Sequence, residues 1–164
     1  MTAQTRDGVE GGEALVPSRA VFVMTAHGEP GAQGSKRHVG GGRMVESSKK
    51  VEPWRQDVRA AAITAALATP TFGGPLLGAL RVSMTFTLRK PLSAPKRLRT
   101  WPSKTPDLDK LVRSTGDALT QAGIWRDDAQ IVELVAAKRY PNEGDDALAT
   151  TGVVIRIESI VDDA

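Results

Sequence analysis

The segment at residues 106–130 constrains the fold more than any other, because it contains a complete helix with its start and stop signals. Asp107 stands at an N-cap position, and apolar residues recur at helical spacing up to Gly123, a typical residue just past a helix end. A second acidic pair, Asp127-Asp128, precedes a strand-like run at residues 131–140. The segment therefore predicts a helix followed directly by a strand, with carboxylates at both ends of the helix.

The remaining sequence predicts further strands and one more helix around this segment. Strict alternation of apolar and polar residues predicts a half-buried strand at residues 80–88, and Pro53 suits the first position of a helix that extends to about residue 67. Residues 1–19 are polar and lack periodicity, so we predict a disordered tail followed by a single domain at residues 20–164. The other predicted elements are a buried strand at residues 20–24, a loop or ragged hairpin at 35–46 and a last strand around 153–157.

The composition limits the kinds of metal site that the chain can build. With no cysteine and only two histidines in 164 residues, the sequence excludes disulfides, thiolate catalysis and cysteine-based zinc sites. Carboxylates are therefore the main metal ligands available. The sequence has no apolar run long enough for a membrane span and no signal-peptide pattern, so we expect a cytoplasmic protein without membrane contact.

Positive charge is concentrated ahead of the acidic helix. The net charge is only +3, yet residues 89–104 carry six basic side chains and no acidic one. Such a run usually forms a solvated surface, but this one leads directly into the carboxylates, an arrangement that suits a polyanion docked beside a cation. From this run and a second basic cluster upstream we predict contacts with a phosphate-bearing polyanion for Lys36, Arg37, Lys96, Arg97, Arg99 and Lys104, and we add Lys110 at the start of the acidic helix.

The acidic residues predict a magnesium site. Asp107 and Asp109 flank the helix start, where aspartate is also favoured for capping alone, but Asp128 returns after the helix and can approach the same point. Converging carboxylates are best tolerated around a cation, and Mg²⁺ prefers oxygen ligands. Arg113, one turn after Asp109, can stabilise charge on a phosphodiester in the transition state. Alternatively, it forms only an ion pair with Asp109.

These motifs resemble the RusA family of Holliday-junction resolvases. The resemblance rests on Asp107-Leu108-Asp109-Lys110-Leu111-Val112-Arg113, Asp117-Ala118-Leu119, Gly123 and Asp127-Asp128-Ala129-Gln130, all in order. It extends upstream to Gly28-Glu29-Pro30 and Gln33-Gly34-Ser35-Lys36-Arg37, and it covers roughly residues 21–157. Members are small, dimeric, Mg²⁺-dependent endonucleases, often carried by phages and prophages.

The resemblance implies a fold, a partner and a set of site residues. The implied fold is α+β, with a mixed β-sheet, helices packed on one face and a homodimeric assembly. The implied substrate is a four-way junction or other branched DNA, and the implied cofactor is Mg²⁺, with Mn²⁺ as a substitute. The family's three catalytic and metal-binding aspartates correspond to Asp107, Asp109 and Asp128.

The chain departs from the family pattern at two basic positions. Arg113 stands where the family has an essential lysine, and Lys110 stands where an asparagine is common. Arginine keeps the positive charge but does not readily release a proton, so electrostatic stabilisation is retained and proton transfer is not. Two alternatives therefore stay open beside a junction resolvase: a non-catalytic junction-binding protein of the same fold, and a less selective branched-DNA nuclease.

Overall fold

The computed structural model describes residues 19–34, 36–38, 40–42, 44–46 and 48–161. Neither α-helix in these ranges is long and apolar enough to cross a membrane. The strands are β1 (Arg19–His27), β2 (Lys36–His38), β3 (Met44–Glu46), β4 (Leu80–Thr87), β5 (Ile131–Arg139) and β6 (Gly152–Ser159). The helices are α1 (Val51–Ala68) and α2 (Leu108–Gln121), and one 3₁₀ turn covers Asp128–Gln130.

Four strands form a mixed sheet in the order β1-β6-β4-β5. β6 pairs antiparallel with both β1 and β4, whereas β4 and β5 are parallel. Parallel neighbours need a crossover connection, and here α2 supplies it between β4 and β5. β2 and β3 form a separate antiparallel hairpin. This topology places both ends of α2 beside the sheet edge formed by β5.

Both helices pack on one face of the sheet. The inward residues of the strands alternate as a half-buried sheet requires, and on β4 they are Leu80, Val82, Met84 and Phe86. Trp54 of α1 is fully buried against this layer, and its Nε1 donates a hydrogen bond of 3.0 Å to Oγ1 of Thr115 on α2. That bond satisfies the polar tip of a large core side chain and sets the contact between the two helices. The predicted α+β fold, with a mixed sheet and helices on one face, is confirmed.

The predicted elements are recovered with small shifts at their ends. α1 begins two residues before the predicted Pro53, which sits in the first turn, where its missing N–H leaves no hydrogen bond unmade. The loop or ragged hairpin expected at residues 35–46 is the β2–β3 hairpin, whose turn includes Gly40, Gly41 and Gly42 with φ of 87°, 60° and 74°. Residues 1–18 lie outside the described ranges, so the predicted tail stays a prediction.

Candidate active site

Asp107 caps α2 with its backbone, while its carboxylate makes an ion pair. Its φ of −70° and ψ of 136° are extended, and its carbonyl accepts the hydrogen bond from the Leu111 N–H at 3.1 Å. The side chain makes no capping bond; its Oδ2 lies 2.9 Å from Nζ of Lys110. This hydrogen bond and the charge of Lys110 lower the pKa of Asp107, with a smaller contribution from Lys138. Asp107 is therefore an ionised carboxylate with a lysine partner.

Asp109, Arg113 and Asp128 line one open cavity. The cavity holds about 320 Å³ between α2, the 3₁₀ turn and β5, and all three charged side chains are exposed. Its apolar wall comprises Met84, Val112, Ile131, Val132 and Leu134, while Gly116 lines it from the middle of α2. In the described part of the chain, Asp109 and Arg113 form no ion pair, so the simple pairing considered for them is not observed. Both charges remain directed to the same solvent-filled space.

The two acidic residues after α2 have different roles. Oδ1 of Asp127 accepts a hydrogen bond from the Ala129 N–H at 2.8 Å, and Oε1 of Gln130 accepts one from the Asp127 N–H at 3.2 Å, which completes a capping box. Nε2 of Gln130 also donates to the carbonyls of Leu76 and Gly78 at 3.0 and 3.1 Å. Asp127 is therefore occupied by the turn, whereas Asp128 lines the cavity together with Asp109.

Asp117, which belongs to the motif on α2, serves the helix interface. Its carboxylate pairs with Nη2 of Arg55 on α1, and the same nitrogen donates to Oε1 of Gln33 at 3.3 Å. Arg55 is thereby held between both helices and the segment that follows β1. This pairing explains an acidic residue in the middle of α2 without assigning it to the cavity of Asp109 and Asp128.

Lys138 is a site residue that sequence reasoning missed. On β5 it stands opposite Phe86, and its Nζ donates hydrogen bonds to the carbonyls of Lys104 at 2.8 Å and Pro106 at 3.0 Å. These bonds attach the end of the basic loop to the sheet directly before Asp107. A lysine at an inward position of a predicted strand was the available signal, because a charge there requires a specific partner.

Four of the seven predicted DNA-contacting residues lie together on one exposed loop. Lys96, Arg97, Arg99 and Lys104, called the loop cations below, are all exposed on the loop between β4 and α2. The guanidinium of Arg99 lies 4.4 Å from the ring centroid of Trp101, and the guanidinium of Arg139 lies 5.1 Å from the same centroid. Arg99 is therefore held against the indole ring and is not free to extend into solvent. Lys110 is tied to Asp107. Lys36 and Arg37 lie on β2, but their side chains fall outside what the structure describes.

The donor chemistry of the site suits a hard divalent cation. Asp107, Asp109 and Asp128 offer only carboxylate oxygens, which are the ligands that Mg²⁺ prefers. Across the described ranges, no three acidic or histidine side chains are already gathered closely enough to enclose an ion. Asp109 and Asp128 share the cavity, and Asp107 would have to release Lys110 to join them. The chemical type of these ligands thus fits a Mg²⁺ ion, whereas the ion pair between Asp107 and Lys110 opposes binding of the ion by Asp107.

Comparison with known proteins agrees with this arrangement. A comparison with curated proteins found no match to the sequence. The family model described as Endodeoxyribonuclease RusA matches residues 27–158, which extend from the last residue of β1 to the penultimate residue of β6 and include every element of the site. The match covers most of the chain, and the chain therefore belongs to the RusA endodeoxyribonuclease family.

Proposed function

We propose that the chain is a Mg²⁺-dependent, structure-selective endonuclease that resolves Holliday junctions in recombination, repair or phage DNA processing. The observation that carries this proposal is the shared cavity of Asp109, Asp128 and Arg113, with Asp107 at the head of the same helix. Two carboxylates and a guanidinium around one open space suit phosphodiester hydrolysis. This reaction needs a site for a metal cation and a positive group that compensates the negative charge of the transition state. Membership in an endodeoxyribonuclease family supports the same chemistry.

In this proposal Asp107, Asp109 and Asp128 hold the ion, and Arg113 contacts the phosphate undergoing reaction. A bound Mg²⁺, or Mn²⁺ in its place, would supply Lewis-acid chemistry, which polarises a phosphoryl oxygen and activates water for attack. An arginine supplies positive charge and is a poor proton donor, so the role of Arg113 is to stabilise charge and not to transfer a proton. Lys110, once released by Asp107, is a second cation at the helix start.

DNA binding is assigned to the exposed positive surface on the loop that leads into α2. The loop cations precede the carboxylates by only a few residues, so duplex arms held there would lie beside the cavity. Lys138 fixes the end of this loop to β5 and thereby couples the DNA-contacting segment to Asp107. Because the proposed substrate is recombining or phage DNA, the proposed location is the cytoplasm.

A homodimer suits a four-way junction, which has two symmetric strands to cut. β5 is an edge strand of the four-stranded sheet, and Val135 on it is 65% exposed without lining the cavity of Asp109 and Asp128. An unpaired edge strand can pair with a strand of another chain. We assign the dimer contact to this edge at Val135 and not to the cavity wall, which would give light scattering at twice the 17.5 kDa mass of one chain.

The arginine at position 113 supports one alternative function, a protein that binds junctions without cutting them. A chain that lacks the family's lysine and keeps Asp107 paired with Lys110 could bind junctions without cutting them. A less selective nuclease for branched DNA would use the same site on other substrates. Junction, flap and linear duplex DNA assayed in parallel separate these functions.

The experiment for the proposed function replaces each of Asp107, Asp109 and Asp128 by asparagine. Each change removes a ligand charge and leaves the phosphate-contacting cations in place, so cleavage should be lost while junction affinity is largely kept. Exposed Asp145, on the loop between β5 and β6, provides the matched control, and Asp145→Asn should cut normally. Near-normal cleavage by two of the three site variants would refute the assignment of the metal ligands.

A further inference from the structure

A cavity of about 510 Å³ lies beside the acidic site and has no part in the proposed cleavage. Its volume falls in the range of about 300–1,000 Å³ that is typical of small-molecule pockets. The apolar part of its wall includes Pro30, Leu88, Pro91, Pro102, Pro106 and Tyr140. The proline rings make this wall apolar, and the aromatic ring of Tyr140 offers a face against which a planar base can stack.

The remaining wall of this cavity carries excess positive charge. Lys50, Arg89 and Lys104 line it, and Glu29 is the single acidic residue among the described lining groups. Glu29 is already paired with Lys50, whose Nζ lies 2.7 Å from its Oε1. Two cations therefore remain for a ligand that combines an anionic group with a flat apolar one. A nucleotide has both features.

The cavity is held in shape by contacts that exist without a ligand. Nζ of Lys90 lies 5.8 Å from the ring centroid of Tyr140, and Lys90 is fixed in turn by Glu143 and by the Leu98 carbonyl at 3.1 Å. Elsewhere in the wall, Lys138 fixes the carbonyls of Lys104 and Pro106. A preformed pocket of this kind binds its ligand without the cost of ordering its own walls.

The position of the cavity connects it to the cleavage site. Lys104, Thr105 and Pro106 form part of its wall, and the next residue is Asp107. A DNA strand whose backbone passes Asp107 can therefore place a neighbouring nucleotide in the cavity. Branch points are where this costs least, because nucleotides there are already unpaired or poorly stacked.

We propose that this cavity receives one unstacked nucleotide of the bound DNA, with its base against Tyr140 and the prolines and its phosphate at Arg89 and Lys104. This inference rests on the proposed function for the presence of DNA at the site. It adds a second recognition element to the loop cations: the enzyme would sense a base that has left the helix stack. Selectivity for branched over linear DNA then follows from the pocket as well as from the dimer.

A double-mutant cycle between Tyr140 and the DNA tests the proposal. Binding is measured by fluorescence anisotropy with Ca²⁺ in place of Mg²⁺, on a four-way junction and on a single-stranded oligonucleotide. In each DNA one base at a time near the branch or the strand centre is replaced by an abasic site. Tyr140→Ala should weaken binding to intact DNA by about 5- to 150-fold, the range for loss of one base stacked on an aromatic side chain.

The proposal predicts that this loss disappears at one position. When the abasic site replaces the accommodated base, wild type and Tyr140→Ala should bind within about twofold of each other, and other abasic positions should leave the difference unchanged. Tyr140→Phe should behave as wild type because it retains the ring. Leu92→Ala is the control: Leu92 is 95% exposed on the loop between β4 and α2 and lies outside the cavity lining.

Two further measurements keep the test decisive. If Tyr140→Ala lowers the melting temperature too far, Tyr140→Leu keeps the bulk and removes only the ring. Arg89→Gln should reduce the log–log slope of affinity against salt by about one, the effect of one lost phosphate contact. An equal loss for Tyr140→Ala at every abasic position of both DNAs, or no loss at all, would overturn the proposal.

The outcomes also separate this inference from the proposed function. A protein that cuts junctions with Mg²⁺ but shows no coupling on either DNA would refute the nucleotide pocket alone. A protein that neither prefers nor cuts junctions, yet shows base-dependent coupling on the single strand, would refute junction resolution and support the pocket.

Discussion

Replacement of Lys138 by methionine tests whether the attachment of the basic loop to β5 positions Asp107. Methionine keeps the length of the aliphatic stem and removes both hydrogen bonds to the carbonyls of Lys104 and Pro106. A hydrogen bond from a charged group contributes about 1.5–3 kcal/mol, and the lower end applies here because one of the two bonds is exposed. We expect a loss of about 2–3 kcal/mol in the free energy of unfolding, which corresponds to about 4–12 °C in melting temperature for a chain of this size.

The effect on cleavage should exceed what this loss of stability explains. With the loop end released, Asp107 is no longer held at a fixed point beside the cavity, and a misplacement of about 1 Å can cost about 10²-fold in rate. We therefore expect kcat on a junction to fall about 10- to 100-fold at a temperature where the variant is fully folded. Higher Mg²⁺ should restore part of the rate, since the ion itself then draws the ligands together.

The measurement combines thermal unfolding by circular dichroism with a Mg²⁺ titration of single-turnover cleavage. Exposed Lys49 supplies the control, and Lys49→Met should change neither the melting temperature nor the Mg²⁺ dependence. Lys138→Arg should recover part of both because it retains donors for the two carbonyls. A less stable Lys138→Met protein that cleaves at the wild-type rate with an unchanged Mg²⁺ dependence would refute a positioning role.

Three further predictions concern charge. Arg113→Ala should slow cleavage by about 10²- to 10³-fold, the scale for one lost electrostatic stabiliser, while Arg113→Lys keeps or raises the rate; equal single-turnover rates for wild type and Arg113→Ala would contradict this role. Neutralising all four loop cations should weaken junction binding and flatten its salt dependence by about one unit of log–log slope per lost phosphate contact. If fluorescence anisotropy shows an unchanged slope, the loop cations do not contact DNA phosphates. The hydrogen bond from Lys90, aided by the Thr100 N–H, holds the pKa of Glu143 below its ordinary 4.5. This contribution to stability is complete above the ordinary pKa and is lost as pH falls through the lower pKa of the folded state. Glu143→Gln should therefore flatten the fall in the free energy of urea unfolding as pH drops below 4.5, and an identical fall would contradict the pairing.

The regular elements of the fold were predictable because each has a strong local pattern. Alternation along β4 and helical spacing between Asp107 and Gly123 both correspond directly to burial on one face. The predicted start of α1 differs from the observed start by two residues, because Pro53 is compatible with more than one position in the first turn. Sequence order alone also does not state that β6 lies between β1 and β4.

The candidate site was only partly predictable for a different reason. Asp109, Asp128 and Arg113 come together because α2 crosses from β4 to the parallel strand β5, a topology that the spacing of the motifs fits. The partners that modify the site are not encoded in that spacing. Lys138 on β5 donates to the carbonyl at the loop end, Lys110 pairs with Asp107, and Asp127 caps the 3₁₀ turn. Each of these contacts depends on where side chains point in three dimensions.

The central claim is tested most directly by mapping the products of a synthetic four-way junction incubated with the wild-type protein, with and without Mg²⁺, beside a linear duplex of the same sequence. The account predicts paired, symmetrically related cuts in opposing strands of the junction, dependent on Mg²⁺ or Mn²⁺ and absent from the duplex. Tight junction binding without any cut in either metal, or cuts that persist in Asp128→Asn, would contradict it.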